Sequence, residues 1–518
     1  MSSIRPTFTG FEAAKAAIFT NQKSLDIVGN NLANVDTEGY TRQRVDRASI
    51  YVSTSSARVA SSSIGLQGQG VEALGVSQMR DELLDNRFRN AYSTTSYHAA
   101  AADILTNLQN ALGDGSDITD ESGLSGSLQK IYEAINNYMS SPTVDSSANL
   151  VMSAFQSATA SLRQMDTQLK NVQKQAIEDL GSTTDRINTI AQKLAELNET
   201  ISSDSIVTTG GGNEYFQPNE LLDSRNLLLD ELSGYGDIKV TTYADGTADV
   251  SFGSHPLVSG KNSNQLTEIV GEDNTVKVAW LDSGETVDTT QGSVRAAMDY
   301  INGRGPNMQK SSESPERGIL YYQDQLDTFA TTLAKYANSA IPEMGEDGKP
   351  LEQNGEIVYK TLIGTRQSDG TVKDDTAVSA SDITVSNKWS TEGAGYFIYS
   401  RDENVTKYAQ QLCLNLTEND IQFSSFGEEF SGTFADFETN FLAQLGSDLG
   451  FQNGRQEATA AIAGAVEDSR DAISGVNQDE EATEMVKYQK SYQAAARLMT
   501  AMDDLLDILI NKMGRVGL

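Results

Sequence analysis

The sequence is poor in the residues on which most enzymes and secreted scaffolds depend. Cys413 is the only cysteine, so no disulfide can form within the chain and a disulfide-stapled scaffold is excluded. Two histidines occur, His98 and His255, and neither stands in a metal-ligand spacing. We therefore expect both histidines to be structural, and the sequence predicts no catalytic residue, no cofactor and no metal site.

Basic residues and long apolar runs are also scarce. The chain has 39 Lys and Arg against 72 Asp and Glu, a net charge of −33 that repels nucleic acid and anionic lipid. No run approaches the ~18 apolar residues of a membrane helix, and the N-terminal residues lack the apolar core of a cleavable signal peptide. These signs predict no nucleic-acid or membrane partner. Alone they also predict a cytosolic protein, unless the chain is exported by a route that reads no cleavable signal.

Motifs that could bind phosphate or position charge are weak. The glycines of GLQGQG (Gly65, Gly68, Gly70) do not match a dinucleotide fingerprint, and NGRGPN at 302–307 lacks the Lys-Ser/Thr of a phosphate loop. The run Asp479-Glu480-Glu481 is interpreted as a solvated face or as the charge of a helix N-terminus. These stretches predict no chemistry.

Apolar residues recur in alternating steps of three and four at both chain ends, a spacing typical of heptad helices. The N-terminal series, interrupted once by Asn21, is Phe11, Ala14, Ile18, Leu25, Val28, Leu32 and Val35. The C-terminal series is Met485, Tyr488, Tyr492, Ala495, Met499, Met502, Leu506, Leu509 and Met513. Either run alone could be an ordinary amphipathic helix of a core. Two such seams bracketing one chain predict ends that pack against each other and against copies in neighbouring subunits.

The middle of the chain carries further helical patterns. A heptad series over 155–201 contains one extra four-residue step, a stutter, and predicts a helix roughly 70 Å long at ~1.5 Å per residue. Similar patterns cover 84–105, 321–337 and 437–466. The triplet Gly210-Gly211-Gly212 is predicted to stop the long helix.

Two stretches interrupt the helical pattern with β-like sequence. After a short predicted helix at 219–232, KVTTYADGTADVSF is typical of a hairpin with a type I′ turn at Asp245-Gly246. Residues 342–431 carry β-like runs, among them 382–389, between turn-rich segments.

The predicted fold is mainly α with β-rich inserts. A long antiparallel helical bundle is formed from both chain ends, with outer β-rich domains. The predicted division places residues 1–60 and 476–518 in an inner assembly domain of terminal helices. A helical middle domain comprises 61–209, 292–341 and 432–475, and the outer inserts are 210–291 and 342–431.

Five segments together resemble the bacterial flagellar hook-associated protein 1 family. They are NNLANVDTEGYTRQRV from Asn30, GQGVEALGVSQMRDELLDNRFRNAY from Gly68, NELLDSRNLLLDELS from Asn219, PLVSG from Pro256 and SGVNQDEEATEMVKYQKSYQAAARLM from Ser474. Rod and hook proteins share the signatures of the two ends, whereas GYTRQ, LLDSR and SGVN-x-DEE favour the hook-associated family. The chain departs from the family pattern at Glu38, where Pro is usual, and at Gln478, where Leu is usual.

This resemblance implies a structural protein, not an enzyme, that polymerises as the layer joining hook and filament outside the cell. The implied partners are copies of itself, the hook protein, a second hook-associated junction protein and a type III export chaperone at the C-terminal region. The implied axial motif consists of Asn30, Asn31, Asn34, Gly39 and Tyr40. In this interpretation Asn30 and Asn34 share a polar face toward adjacent subunits, and Gly39 ends the helix in a turn with positive φ.

Two alternatives stay open from the sequence. Within the structural class, the chain could be the hook or rod protein itself. In another class, it could be an exported binding or hydrolytic protein, which would require a concave cluster of titratable or aromatic residues in 210–291 or 342–431.

Overall fold

The computed structural model describes residues 9–50, 70–113, 124–208, 218–271, 274–307, 314–345, 349–374, 378–397, 405–425 and 427–508. The chain divides into two compact units. Unit 1 comprises Met1–Thr94, Ile187–Gln265 and Thr459–Leu518, and unit 2 comprises Thr95–Arg186 and Leu266–Ala458. Residues 342–431 fall in unit 2 together with the helices around them, and the division into inner, middle and outer domains stays a prediction.

Helices dominate the described residues. They are α1 (Thr9–Ala33), α2 (Glu82–Leu112), α3 (Leu124–Ser140), α4 (Asp145–Thr208), α5 (Asn219–Tyr235), α6 (Gly292–Asn302), α7 (Ile319–Ala337), α8 (Asn387–Glu392), α9 (Ala394–Phe397), α10 (Val405–Thr417), α11 (Phe434–Ser474) and α12 (Gln478–Asp507). None of these helices is long and apolar enough to span a membrane.

Strands form small antiparallel sheets. They are β1 (Gln43–Ser49), β2 (Val71–Gln78), β3 (Ile238–Thr242), β4 (Ala248–Phe252), β5 (His255–Ser259), β6 (Asn262–Ser263), β7 (Leu266–Val270), β8 (Val276–Trp280), β9 (Glu352–Gln353), β10 (Glu356–Ile357), β11 (Ile363–Arg366), β12 (Val372–Lys373), β13 (Ile383–Val385), β14 (Ile421–Ser425) and β15 (Glu428–Gly432). The sheets have the orders β1-β2, β3-β4-β5-β6, β7-β8, β10-β9, β12-β11-β13 and β14-β15.

The longest helix confirms the prediction of one continuous helix through the stutter. Helix α4 has 64 residues, so it is roughly 96 Å long at ~1.5 Å per residue. Its heptad positions Phe155, Leu162, Leu169 and Ile187 are fully buried, which explains why the apolar spacing is kept over so many turns. The glycine triplet predicted to stop this helix lies outside the described residues.

In unit 1 the predicted hairpin is present, but its turn type was predicted wrongly. Strands β3 and β4 pair from Ile238 with Phe252 to Thr242 with Ala248. Gly246 has φ +83° and its N–H donates to Tyr243 O at 3.0 Å. Positive φ is found at Gly246 but not at Asp245, and a type I′ turn needs it at both central residues. The loop is therefore a type I turn followed by a left-handed glycine.

In unit 2 the predicted β-like run over 382–389 is corrected. Only Ile383–Val385 is a strand, because Ser386 accepts a hydrogen bond from Trp389 N and so caps a short helix. Trp389 is fully buried between Phe155 and Phe397, with ring centroids 5.5 Å from each. Residues 342–431 thus supply part of the core of unit 2 and are more than an outer β-rich decoration.

The glycine-rich NGRGPN motif has a packing role. A β-carbon added at Gly318 would lie 1.9 Å from Tyr300 O, and one added at Gly303 would lie 2.4 Å from Glu316 O. Two backbone segments therefore cross at a distance that only glycine permits.

Candidate functional site: the paired chain ends

The two terminal helices of the described chain lie side by side in unit 1. At one end, a β-carbon added at Gly10 would lie 2.6 Å from Met502 Cε. At the other, Asn31 Nδ2 donates to Glu481 Oε2 at 3.1 Å. From the first of these contacts to the second, the residue numbers rise along α1 and fall along α12, so the two helices are antiparallel.

The C-terminal seam predicted from the sequence faces the inside of this pair. Ala495 is buried, and Met485, Tyr488, Met499, Met502 and Leu506 are half-buried, whereas most other residues of α12 are exposed. Tyr492 is an exception at 37% exposure. Leu509 and Met513 lie outside the described residues. The structure thus places the described members of the seam other than Tyr492 on the buried side of α12, toward α1.

The N-terminal seam is placed less well by the sequence. Ala14 and Val28 are buried, but Leu32 is 36% exposed. The remaining predicted members, Phe11, Ile18, Leu25 and Val35, are half-buried. Polar residues of α1, including Ser24 and Asn31, are buried in their stead. The reason is that α1 packs against β1 and β2 as well as α12, so its buried side is wider than one heptad stripe.

Asn31 is the central residue of the axial motif, and its side chain is only 1% exposed. Its amide nitrogen donates to Gln43 O at 2.9 Å as well as to Glu481. Its amide oxygen accepts from Tyr40 OH at 2.8 Å and from Gln43 N at 3.0 Å. The amide makes four hydrogen bonds, so it ties the end of α1 to the return strand and to α12.

Asn30 and Asn34 were expected to face neighbouring subunits, but their amides are engaged within this chain. Asn34 Nδ2 donates to Asn30 O at 2.9 Å and to Asn30 Oδ1 at 3.0 Å, while Asn30 Nδ2 donates to Tyr40 OH at 3.3 Å. Gly39 has the predicted positive φ, +77°. Helix α1 nevertheless ends earlier than predicted, at Ala33, because these amides close its last turn.

Glu481 is a functional candidate that sequence reasoning missed. Its side chain is 2% exposed and its Oε1 lies 2.7 Å from Arg42 Nε, while Arg42 Nη1 lies 2.9 Å from Glu480 Oε2. Asn477 caps α12 by accepting from the backbone N–H groups of Asp479 and Glu480, which confirms the prediction of acidic charge at a helix N-terminus. Glu481 stands four residues before Met485, so it continues the spacing of the seam by one position. A charged residue at an otherwise apolar seam position was the signal in the sequence that could have identified it.

Tyrosines strengthen the same contact. Burial, followed by the nearby charges of Asp223 and Glu481, raises the pKa of Tyr40 to about 12. Tyr40 therefore keeps its proton and remains a donor to Asn31. Arg47 on β1 makes a similar link between the two helices. Its guanidinium lies 4.5 Å from the ring centroid of Tyr488 on α12 and donates to Ser24 Oγ on α1.

The outer side of the helix pair is apolar in places. The exposed large side chains of α12 include Val486 by 54%, Leu498 by 46% and Leu505 by 56%, and Ile508, the residue after the helix, is 45% exposed. Phe19 on α1 is 60% exposed. This arrangement can bind another apolar surface.

Elsewhere the described residues contain no group of three or more His, Cys, Asp or Glu placed to hold a metal ion. His98 Nδ1 lies 2.7 Å from Gln452 Oε1, and Gln452 in turn donates to Tyr300 OH at 2.7 Å. His98 therefore belongs to a packed polar network of unit 2.

Three family models match the chain. A flagella basal body rod protein model matches residues 12–41, a flagellar basal body rod FlgEFG protein C-terminal model matches 470–512, and a flagellar hook-associated protein FlgK helical domain model matches 105–345. The first two matches cover the paired helices and define the class: a flagellar structural protein of the rod, hook and hook-associated type.

Whole-chain relatives narrow this class. Flagellar hook-associated protein 1 of Bacillus subtilis is 28% identical over 538 residues, covering 99% of both chains, and that of Escherichia coli is 24% identical, covering 98% and 99%. Over almost its whole length the chain is thus similar to flagellar hook-associated protein 1. A solved structure titled as the flagellar hook junction protein FlgK from Burkholderia pseudomallei matches with a TM-score of 0.43 and 20% identity, over 54% of this chain and 46% of that one.

Proposed function

We propose that this protein is the structural junction between the hook and the filament of a bacterial flagellum. Its subunits assemble head-to-tail with a rotation per subunit, which builds a helical layer and not a closed dimer. The observation that carries the proposal is the pairing of α1 with α12, which joins both chain ends and leaves apolar side chains on the outside of the pair. The helical-domain match over 105–345 favours this role over that of a hook or rod protein.

The assembly energy is assigned to the two sides of α12. The inner side, with Ala495 and Leu506, holds α12 on α1 within one chain. The outer side, with Leu498 and Leu505, packs on neighbouring copies, where burying each side chain contributes roughly 1.5–3 kcal/mol. The terminal helices thus serve as the assembly seams, with Asn31 and Tyr40 fixing the end of α1.

The partners follow from the same surfaces. The layer contacts the hook protein on one side and a second hook-associated protein on the other. An exposed apolar stripe on α12 also needs cover in the cytosol before export, which supports a type III export chaperone bound at the C-terminal region. The protein performs no catalysis, needs no cofactor and works outside the cell.

The first test compares two adjacent leucines of α12, Leu505, which is exposed, and Leu506, which is half-buried. Leu505→Asp changes an exposed residue, so the thermal unfolding of the purified protein should stay within about 0.5 kcal/mol of the parent. Assembly should nevertheless fail, because a carboxylate would be forced into the contact between copies. The cells should release filament protein into the medium as free subunits and should not swim.

Leu506→Asp should block assembly by a different route, because it places a carboxylate between α12 and α1 and loosens the pair itself. Arg497→Gln, an exposed change on the same helix, is the matched control and should leave swimming intact. Normal swimming of the Leu505→Asp strain would refute the outer stripe as an assembly surface.

The second test locates the protein. A tagged chain on isolated hook-basal bodies should lie at the distal end of the hook. A signal along the whole hook or in the rod would identify the protein with those regions of the flagellum and would overturn the junction role.

A further inference from the structure

The seam between α1 and α12 repeats so regularly that apolar burial discriminates poorly between registers. The contacts of Gly10 with Met502 and of Asn31 with Glu481 have the same sum of residue numbers, 512. Heptad spacing places Ala17 and Ser24 between them on α1, opposite Ala495 and Tyr488. Shifting α12 by seven residues would set Met502 against Ala17 and Ala495 against Ser24, so both again meet a small side chain, while Tyr488 would meet Asn31.

The short connection between α11 and α12 does not prevent such a shift by itself. Residues 478–484 form the first two turns of α12. If these seven residues unwound, they would give the connection the length that a shift by one heptad requires. Within these turns the side chains are exposed except those of Glu481, which is buried, and Glu484, which is half-buried. Without Glu481, unwinding these turns would uncover little.

Glu481 forms an ion pair with Arg42, whose backbone is held in place and cannot move with α12 if that helix shifts. Arg42 N donates to Ser474 O and Arg42 O accepts from Met79 N, both at 2.8 Å, so its backbone is held on two sides. A shift of seven residues would move the carboxylate by roughly 10 Å, since each residue adds ~1.5 Å. Arg42 would lose its most buried partner, and Asn31 would lose an acceptor. Breaking a buried charge pair is far more costly than exchanging apolar neighbours.

We infer that Glu481 is the positioning residue that sets the register of α12 on α1, through its buried contacts with Arg42 and Asn31. Buried polar groups in heptad seams are known to select one register at a cost in stability. The register decides where Leu498 and Leu505 stand relative to Phe19 on the outer side. The consequence for assembly rests on the proposed function, whereas the register itself does not.

The test uses engineered cysteine pairs in full-length protein in which Cys413→Ser removes the native thiol. Ala17→Cys with Ala495→Cys reports the observed register, because these numbers also sum to 512. Ala17→Cys with Met502→Cys reports the register displaced by one heptad. Both pairs are oxidised under mild conditions in purified protein and in assembled flagella, and the yields of the intramolecular disulfide are compared.

In the parent we expect the first pair to form in roughly tenfold excess or more, since tenfold corresponds to ~1.4 kcal/mol. Glu481→Leu replaces the charge by a residue typical of the seam, so the helices should still pair, but the two yields should become similar. Asp479→Asn, an exposed change in the same acidic run that does not touch Arg42, should keep the parent ratio. A purely structural role for Glu481 would alter the melting temperature and leave this ratio unchanged.

Three results would overturn the inference: a parent ratio in Glu481→Leu, equal yields in the parent, or neither disulfide in the parent. Swimming and the position of the tagged chain are scored separately. A mislocated tag with an altered Glu481→Leu ratio would reject the junction role and keep the register role. A tag at the distal end of the hook with a parent ratio in Glu481→Leu would keep the junction role and reject the register role.

Discussion

Three glycines in α11 should each be replaceable by alanine with a gain in stability. Gly446, Gly450 and Gly454 lie in the interior of a 41-residue helix, and a β-carbon added at any of them would meet nothing within 4 Å. Glycine in a helix is less favourable than alanine because the unfolded chain loses more backbone freedom on folding. At about 0.4–1 kcal/mol per site, the triple Gly→Ala variant should gain about 1–3 kcal/mol.

Thermal unfolding followed by circular dichroism measures this gain. The main transition of the triple variant should rise by roughly 5 °C, on the scale of a few degrees per kcal/mol for domains of this size. Gly318→Ala is the contrasting control: its β-carbon would collide with Tyr300 O, so the transition should fall. A lower melting temperature for the triple variant would refute the reasoning, since it would mean that these glycines are required by the folded chain.

Two further predictions concern unit 2. Burial raises the pKa of Glu316 and of Asp448, so the folded state still holds protons at pH values where the unfolded state has lost them. The free energy of unfolding should therefore fall as the pH rises above the ordinary carboxyl pKa values of about 4, and Glu316→Gln should flatten that slope in a pH series of thermal melts. Trp389→Ala should lower the free energy of unfolding by about 3–5 kcal/mol in chemical denaturation, because a fully buried ring is lost. Leu414→Ala, at a site 54% exposed, should lower it little. Equal effects of the two changes would contradict the assignment of residues 342–431 to the core.

The sequence alone was sufficient for the elements whose signal is local. Apolar spacing predicted the helix through 155–201 and the inner face of α12, because a heptad pattern depends only on neighbours three and four residues away. The hairpin at Asp245-Gly246 was also predictable, but the turn type was not, since Asp-Gly suits both a type I′ turn and a type I turn with a following left-handed glycine. The motifs at the two ends likewise predicted the family that the comparisons support.

Only the tertiary structure decided which polar residues are buried and what they hold. Glu481 looks like one of three equivalent acids in the sequence. Both it and Glu480 pair with Arg42, but only Glu481 is buried and also accepts from Asn31, hundreds of residues earlier. Trp389 sits in a stretch that resembles a strand, yet a serine cap and the ring of Phe155 place it on a helix in the core. Leu32 fits the heptad but is exposed, because α1 contacts a sheet as well as a helix. In each case the deciding energy comes from partners distant in the chain, which local periodicity does not encode.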